Sequence, residues 1–336
     1  MTGVLLIQLG TPDSPSVKDV RKYLSEFLND PRVIDIPYLL RKILVNLIIV
    51  PFRAPKSAKI YKMLWTDKGS PLLYYSESLK EKLQSALGNE FEVELAMRYK
   101  NPSMKSVLDR MQKKGYKKII ILPLFPQYAS ASTGSAINKA MDIISKWWVI
   151  PEIKIISQFY DNEDYINSVV AKGKQYNLPE YDHILFSYHG LPVRQVDKVY
   201  NDGKPCEDHH CETEINDSNA YCYKAACFAT TRLLSEKLNI QNENYTVCFQ
   251  SRLDKKWLEP FSDKVIAELA RKGAKKLLVF SPAFVADCLE TTIEIGHDYL
   301  NIFKANGGEH LQLVESLNDN QDWVFAVKNM ILKYNN

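Results

Sequence analysis

Three pairs of landmarks recur at one spacing: Pro102 and Pro260, Gly115 and Gly273, Asp161 and Asp319 are each 158 residues apart. The neighbourhoods match as well. Lys114-Gly115-Tyr116-Lys117-Lys118, an apolar run and Pro-Leu-Phe are echoed by Lys272-Gly273-Ala274-Lys275-Lys276, an apolar run and Pro-Ala-Phe. Val4-Leu5-Leu6-Ile7-Gln8-Leu9-Gly10-Thr11-Pro12 is mirrored by Ile184-Leu185-Phe186-Ser187-Tyr188-His189-Gly190-Leu191-Pro192. One coincidence is cheap; three in one register argue for tandem related domains, which 336 residues can hold with a full core each.

Each copy alternates short β-branched runs with helical periodicity. Strands are expected near 4–8, 91–97, 119–122 and 153–157, and again near 183–188, 246–250, 277–281 and 311–315. Apolar runs bounded by Gly or Pro and separated by helices predict parallel sheets buried on both faces. The expected fold is therefore α/β: two Rossmann-like, doubly wound lobes with a cleft between them. The first spans 1–163 with an apolar lip at about 36–55. The second spans 164–318 and carries a metal site and a Cys-rich insert at about 203–228. A helix over 319–336 is expected to pack back on the first lobe.

Open α/β sheets place ligands outside the carboxyl ends of their strands. Two such ends carry chemistry. Ser187-Tyr188-His189-Gly190 brings a histidine suited to accept protons near neutral pH, or to bind a metal through a neutral nitrogen. Asp287-Cys288-Leu289-Glu290-Thr291, with Glu294 beyond, brings carboxylates spaced i, i+3, i+7, which share one face of an α-helix. That row is either a solvated acidic face or a path for a metal ion or protons. The first copy has Leu9 where the second has His189, and no acids at 127–133. A residue needed only for the fold is expected in both copies, so the asymmetry points to function in the second.

Other classes are excluded on chemistry. No G-x-G-x-x-G or G-x-x-x-x-G-K-[ST] follows an expected strand, so no nucleotide cofactor is expected. A net charge of +3 without a basic block gives nucleic-acid binding no support. The N-terminus enters a strand with no basic n-region, which predicts a cytoplasmic protein. The segment 36–52 is strongly apolar but interrupted by Arg41, Lys42 and Asn46, and it falls short of the ~20 apolar residues that span a bilayer. It reads as a buried helix, or as an interfacial lip giving peripheral membrane association, with Arg53, Lys56 and Lys59 as headgroup partners.

Cys206-x4-Cys211-x10-Cys222-x4-Cys227 gathers four of the six cysteines after His189. Such thiolates suit a [2Fe-2S] cluster or Zn²⁺, against the plainer reading of reduced surface thiols.

Taken together these segments resemble the ferrochelatases, which insert Fe²⁺ into protoporphyrin IX in haem biosynthesis. The resemblance runs nearly end to end. It rests on Leu9-Gly10-Thr11-Pro12, Gly69-Ser70-Pro71-Leu72, Met97-Arg98-Tyr99, Pro126-Gln127-Tyr128, Ser132-Thr133-Gly134-Ser135, Ser187 to Pro192, Gln250-Ser251-Arg252 and Asp287 to Thr291. It implies a porphyrin cleft with the apolar segment as its lip, and His189 and Glu290 as the iron-site pair. Protoporphyrin IX and ferrous iron are then the partners, iron being substrate. Phe125, Tyr128, Ser187 and Tyr188 are expected along the macrocycle. Arg98, Tyr99 and Arg252 are expected to orient its carboxylates or to contact its face. Asp287 and Glu294 are expected on the proton or metal path. Some ferrochelatases are similar in holding a [2Fe-2S] cluster. The alternatives are a chelatase for coproporphyrin III or a cobalamin precursor, and a two-lobed metal- or haem-binding protein without chemistry.

Overall fold

A computed structural model describes residues 1–335. Eight strands form two four-stranded parallel sheets. In the first unit the order is β2-β1-β3-β4, with β1 at Thr2–Gly10, β2 at Phe91–Tyr99, β3 at Lys118–Pro123 and β4 at Glu152–Ile155. In the second the order is β6-β5-β7-β8, with β5 at His183–His189, β6 at Tyr245–Gln250, β7 at Lys276–Phe280 and β8 at His310–Leu313. All eight lie where the apolar runs put them. The two orders are the same topology written twice.

The reason is burial on both faces. Consecutive residues Val4, Leu5, Leu6 and Ile7 are all fully buried, as Leu277, Leu278 and Val279 are in the second unit. Helices therefore cover each side. On one face of the first sheet, Leu5, Ile7, Ile119 and Ile121 pack on Val107 and Ala140 of the helices Met104–Lys114 and Ser135–Ile144. On the corresponding face of the second, Leu185, Leu277 and Val279 pack on Ile266, Ile295 and Phe303.

The compact units are Met1–Phe125 with Ala129–Gln158 and Asn318–Asn336, and Pro126–Tyr128 with Phe159–Leu317. The second unit thus begins at Phe159 rather than at 164. Phe159 donates its amide to Pro126 at 2.9 Å and meets Tyr165 edge-on, which draws both short segments into that unit. The helix Gln321–Asn335 packs on the helix Pro71–Leu87 of the first unit, and Asp319 receives Ser78 and Lys82 there.

One sequence reading is corrected here. The segment at 36–52 is not a buried core helix: Tyr38, Leu39, Leu40, Ile43, Leu47, Ile48 and Phe52 are exposed. Its middle, Leu44–Ile49, is π-helical. The stretch after Ala129 also holds a short π-helix, Ser130–Gly134, running into Ser135–Ile144. Wide i→i+5 turns are a recurrent mark of functional segments, and a longer one lies in the second unit.

Candidate active site and thiolate cluster

His189 is the last residue of β5 and sits in register with Gln250, the last of β6. The next residue must be glycine. The Gly190 amide donates to the Gln250 carbonyl at 2.8 Å, and a Cβ built at Gly190 lies 2.8 Å from that same oxygen, so no side chain fits. The half-buried imidazole places Nδ1 2.6 Å from the Gly190 carbonyl. A carbonyl can only accept, so Nδ1 carries a proton, and in the neutral imidazole the lone pair is then on Nε2. That tautomer is what a proton acceptor or metal ligand needs. Trp257 and Phe284, both half-buried, flank the ring at 6.4 Å between centroids.

The acidic row lies on a π-helix, Leu289–Tyr299, capped by Cys288, whose amide donates to the Thr291 hydroxyl oxygen at 3.0 Å. This alters the expected α-helical alignment. Asp287 precedes the cap, with its carboxylate 3.3 Å from the Ser316 amide and 3.5 Å from the Thr291 hydroxyl, so it is not on the helix face. Glu290 and Glu294 are four apart, close to one wide turn. Glu294 is fully engaged: Ser251 donates its amide and hydroxyl, Gln250 its amide nitrogen at 3.2 Å, and Tyr299 its hydroxyl at 3.0 Å. Burial, first, and the facing Glu294 charge raise the Tyr299 phenol, keeping it a donor. The sequence reading gave Glu294 a place on a path; in the structure it is an anchor.

Gln250 joins the two halves of this site, and sequence reasoning gave it no role. Its carbonyl holds Gly190, its side-chain oxygen accepts from Ser187, and its side-chain nitrogen donates to the Glu290 carbonyl at 2.9 Å. Its position at a strand end, within a motif quoted above, was the available signal.

Several expected ligand contacts are framework instead. Tyr188 is fully buried and bonded to Thr231 at 2.8 Å, and Ser187 is buried between Gln250 and Ser262. Neither offers surface to a macrocycle. The Arg252 guanidinium pairs with Asp263 at 2.8 Å and lies 4.2 Å over the Phe261 ring. Tyr128 is half-buried and meets Tyr221 edge-on.

In the first unit Tyr99 is likewise buried, its hydroxyl 2.9 Å from Asp30, so it too is removed from the contact set. Asp30 also accepts from Ser135 at 2.5 Å, from the Arg32 amide at 2.8 Å and from Arg98. Burial pushes the Asp30 carboxyl up, but these hydrogen bonds and the Arg98 charge outweigh it and hold the carboxyl below its ordinary value. Arg98 also reaches a basic concavity of ≈ 670 Å³ that Arg21, Lys22, Lys42 and Lys139 share. Phe125 is half-buried against the core of this unit.

Of the four clustered cysteines, three converge. The sulfurs of Cys206, Cys211 and Cys222 are buried and lie 3.5, 3.5 and 3.6 Å apart, with no disulfide. A tetrahedral thiolate site with bonds of about 2.3 Å has edges of roughly 3.8 Å, so these three fit one face of it. Each is held by polar contacts of the chain itself. The Cys206 amide donates to Asp197 at 2.8 Å, Tyr200 places its hydroxyl 2.8 Å from the Cys211 sulfur, and buried Asn219 donates to the carbonyls of His209 and Glu214. Hydrogen bonds from Cys206, then from Cys222 and Tyr200, pull the Cys211 thiol below the usual thiol range. Cys227 lies apart from these three and is fully buried. The insert is therefore organised by its own hydrogen bonds.

Two parallel four-stranded lobes of this order are the fold of the chelatases. Solved chelatases share the fold. A structure described as SirB from Bacillus subtilis with Fe³⁺ matches with a TM-score of 0.58 at 12% identity, covering 99% of this chain and 95% of that one. CbiX, described as the terminal enzyme for biosynthesis of siroheme in denitrifying bacteria, matches with a TM-score of 0.51 at 12% identity, covering 98% of each chain. The particular family follows from sequence: the ferrochelatase family model matches residues 1–334, and the chain belongs to that family. A ferrochelatase of Coxiella burnetii is 46% identical over 334 residues, 98% of this chain and 93% of that one. One of Legionella pneumophila is 45% identical over 333 residues, 98% of each. The protein is thus an enzyme of haem biosynthesis that inserts ferrous iron into protoporphyrin.

Proposed function

We propose that His189 and Glu290 carry the insertion step. The observation behind this is the His189 tautomer: with Nδ1–H given to Gly190, Nε2 presents a lone pair from a rigid strand end. Insertion exchanges two pyrrole protons for one Fe²⁺. Nε2 accepts a pyrrole proton, and the Glu290 carboxylate, at the first turn of the π-helix, balances the charge of the arriving cation or of the resulting imidazolium. Trp257 and Phe284 supply apolar faces beside the ring nitrogen. Gln250 holds the Glu290 backbone and the Gly190 turn together, which fixes the geometry of the pair. Glu294 does not move charge; it locks the π-helix to the end of β6. The test follows the Soret band as purified protein is given Fe²⁺ or Zn²⁺ and protoporphyrin. Turnover in the wild type and none in His189→Ala, with porphyrin binding intact, is the expected result; near wild-type turnover in the variant sinks the assignment.

Two finer readings accompany this one. The thiolates of Cys206, Cys211 and Cys222 hold a metal centre, supported by their separations, and Cys227 is the fourth ligand of the motif. A [2Fe-2S] cluster needs all four, and it would supply a one-electron couple; zinc would supply structure alone. Iron, zinc and acid-labile sulfide analysis of anaerobically purified protein separates these from ordinary thiols. The exposed residues from Tyr38 to Phe52, followed by Arg53, Lys56 and Lys59, form a peripheral membrane contact on the cytoplasmic side. Among the described residues no helix is long and apolar enough to cross a membrane. Co-sedimentation with anionic vesicles, lost in Leu47→Glu, is the expected behaviour; equal sedimentation of both proteins rejects the contact.

A further inference from the structure

The apolar lip and the basic concavity of the first unit share a wall. Asn46, in the π-helical middle of the lip, accepts from Ser25 at 2.8 Å and from Asn29 at 3.0 Å. Ser25 and Asn29 line the concavity, and so does Lys42, the residue before exposed Ile43. Five cations face two carboxylates there. Arg98 is spent on Asp30 and Ser135, Lys22 lies 3.3 Å from Asp19, and Glu26 accepts the Lys100 amide at 3.3 Å. Arg21, Lys42 and Lys139 are left over, and among the described residues none of these three forms an ion pair. Arg21 and Lys139 are exposed and Lys42 is half-buried. The volume of ≈ 670 Å³ falls within the ~300–1,000 Å³ of small-molecule sites, but those are mostly apolar and this lining is cationic. Unpaired cations gathered in one hollow repel one another, and an anion among them relieves the repulsion.

We propose that this concavity is a headgroup site for an anionic phospholipid. The proposal rests on the reading of the exposed lip as a membrane contact, and it names the lipid that this contact selects. A phospholipid has a charged part and an apolar part, and the two surfaces meet both. The phosphate falls among Arg21, Lys42 and Lys139, where the guanidinium offers paired N–H donors and the lysines act as point charges. The acyl chains leave the hollow over Leu39, Ile43 and Leu47, which are exposed on the same segment as Lys42. Free phosphate satisfies the cations and leaves those apolar side chains in water. A zwitterionic lipid carries its own cation into a hollow that already holds a surplus. Only an anionic lipid answers both surfaces. Arg53, Lys56 and Lys59 differ in kind: they stand exposed on the helix Val50–Leu64 and meet the diffuse field of a membrane, whereas the hollow takes one headgroup at one place.

The experiment measures co-sedimentation of the full-length protein with vesicles of phosphatidylcholine alone, and with vesicles of phosphatidylcholine and phosphatidylglycerol in equal parts. The wild type is expected to prefer the mixed vesicles. Arg21→Gln and Lys139→Gln are each expected to weaken binding to mixed vesicles about fivefold, the scale of one cation at a charged surface, and to leave binding to phosphatidylcholine unchanged. Lys113→Gln removes the same charge from the exposed end of the helix Met104–Lys114, outside the hollow, and is expected to change neither. An equal loss in Lys113→Gln means a diffuse field and overturns the site. A wild type with no preference overturns the site and leaves the apolar contact standing; a wild type that binds neither vesicle overturns both. A second arm adds inorganic phosphate or dihexanoylphosphatidylglycerol to protein without vesicles and reads the NMR resonance of the Arg21 Nε–H. The short-chain lipid is expected to move it to saturation at concentrations where phosphate does not. Equal movement with phosphate makes this a free-anion site and overturns the lipid, and stillness with both overturns the site.

Discussion

Ser251 gives both its amide, at 2.8 Å, and its hydroxyl, at 2.5 Å, to the Glu294 carboxylate. Ser251 is held at φ 62, a left-handed conformation that turns its donors onto the π-helix. With Gln250 and Tyr299 added, four hydrogen bonds converge on one carboxylate. Glu294→Gln therefore loses charge-assisted bonds worth about 1.5–3 kcal/mol each at most. We expect a thermal midpoint several degrees lower, with turnover per folded molecule within about threefold of wild type. Calorimetry beside a Soret assay checks this; wild-type stability with abolished turnover would return Glu294 to a proton or metal path.

Glu290 behaves differently because its side chain is not locked in this way. Glu290→Gln is expected to lose at least ~10²-fold in turnover, the scale of a positioned acid–base or charge-balancing group. Stability should stay near wild type, since the main-chain bond from Gln250 survives. The reverse pattern, lower stability with activity intact, marks a structural glutamate.

Gln250→Ala removes the side-chain tie between the strand end and the Glu290 carbonyl while leaving both catalytic candidates in place. Loss of neutral buried hydrogen bonds costs about 1 kcal/mol each, more where a partner is left unpaired. Turnover is expected to fall about tenfold with porphyrin affinity unchanged. Fluorescence quenching of protoporphyrin gives the affinity, and a fall in affinity matching the fall in turnover contradicts a positioning role.

In the first unit, Asp30 sets a pH dependence. Its folded value lies below its unfolded one, so its contribution is present at neutral pH and disappears as pH falls through the folded value, below about pH 4. Asp30→Asn leaves Arg98 without its buried partner and is expected to cost about 3 kcal/mol at pH 7. The gap between wild type and variant should narrow from pH 7 to pH 3.5. Urea unfolding at pH 7 and at pH 3.5 measures both; a gap independent of pH means the carboxylate charge is not what matters.

The strands were legible because a parallel sheet covered on both faces writes itself as unbroken apolar runs. The asymmetry of the copies was legible too, and it drew attention to His189. Ser187 and Tyr188 were misread for the same reason the strand was found. Alternation along β5 turns them to opposite faces, and helices bearing Thr231 and Ser262 close over each. Sequence does not say which end of a strand escapes cover. Asp287 was misread because i, i+3, i+7 presumes an α-helix that begins before it, whereas the chain starts a wider coil at Leu289. Gln250 ties its partners through long-range hydrogen bonds that leave no periodic trace.

The wide coil at Leu289–Tyr299 carries one more implication. Most helices cannot lose a residue without tearing their ladder, but a coil closed five residues apart holds slack that an ordinary one lacks. Deleting a single residue after Glu294 gives the segment an easy alternative, the tighter 3.6-residue winding. Four residues of the tighter winding turn through nearly the same angle as five of the wide coil, so Glu290 keeps its facing. The extra residue thus sets the local width of the coil beside the acid, and its loss narrows that turn without redirecting the side chain.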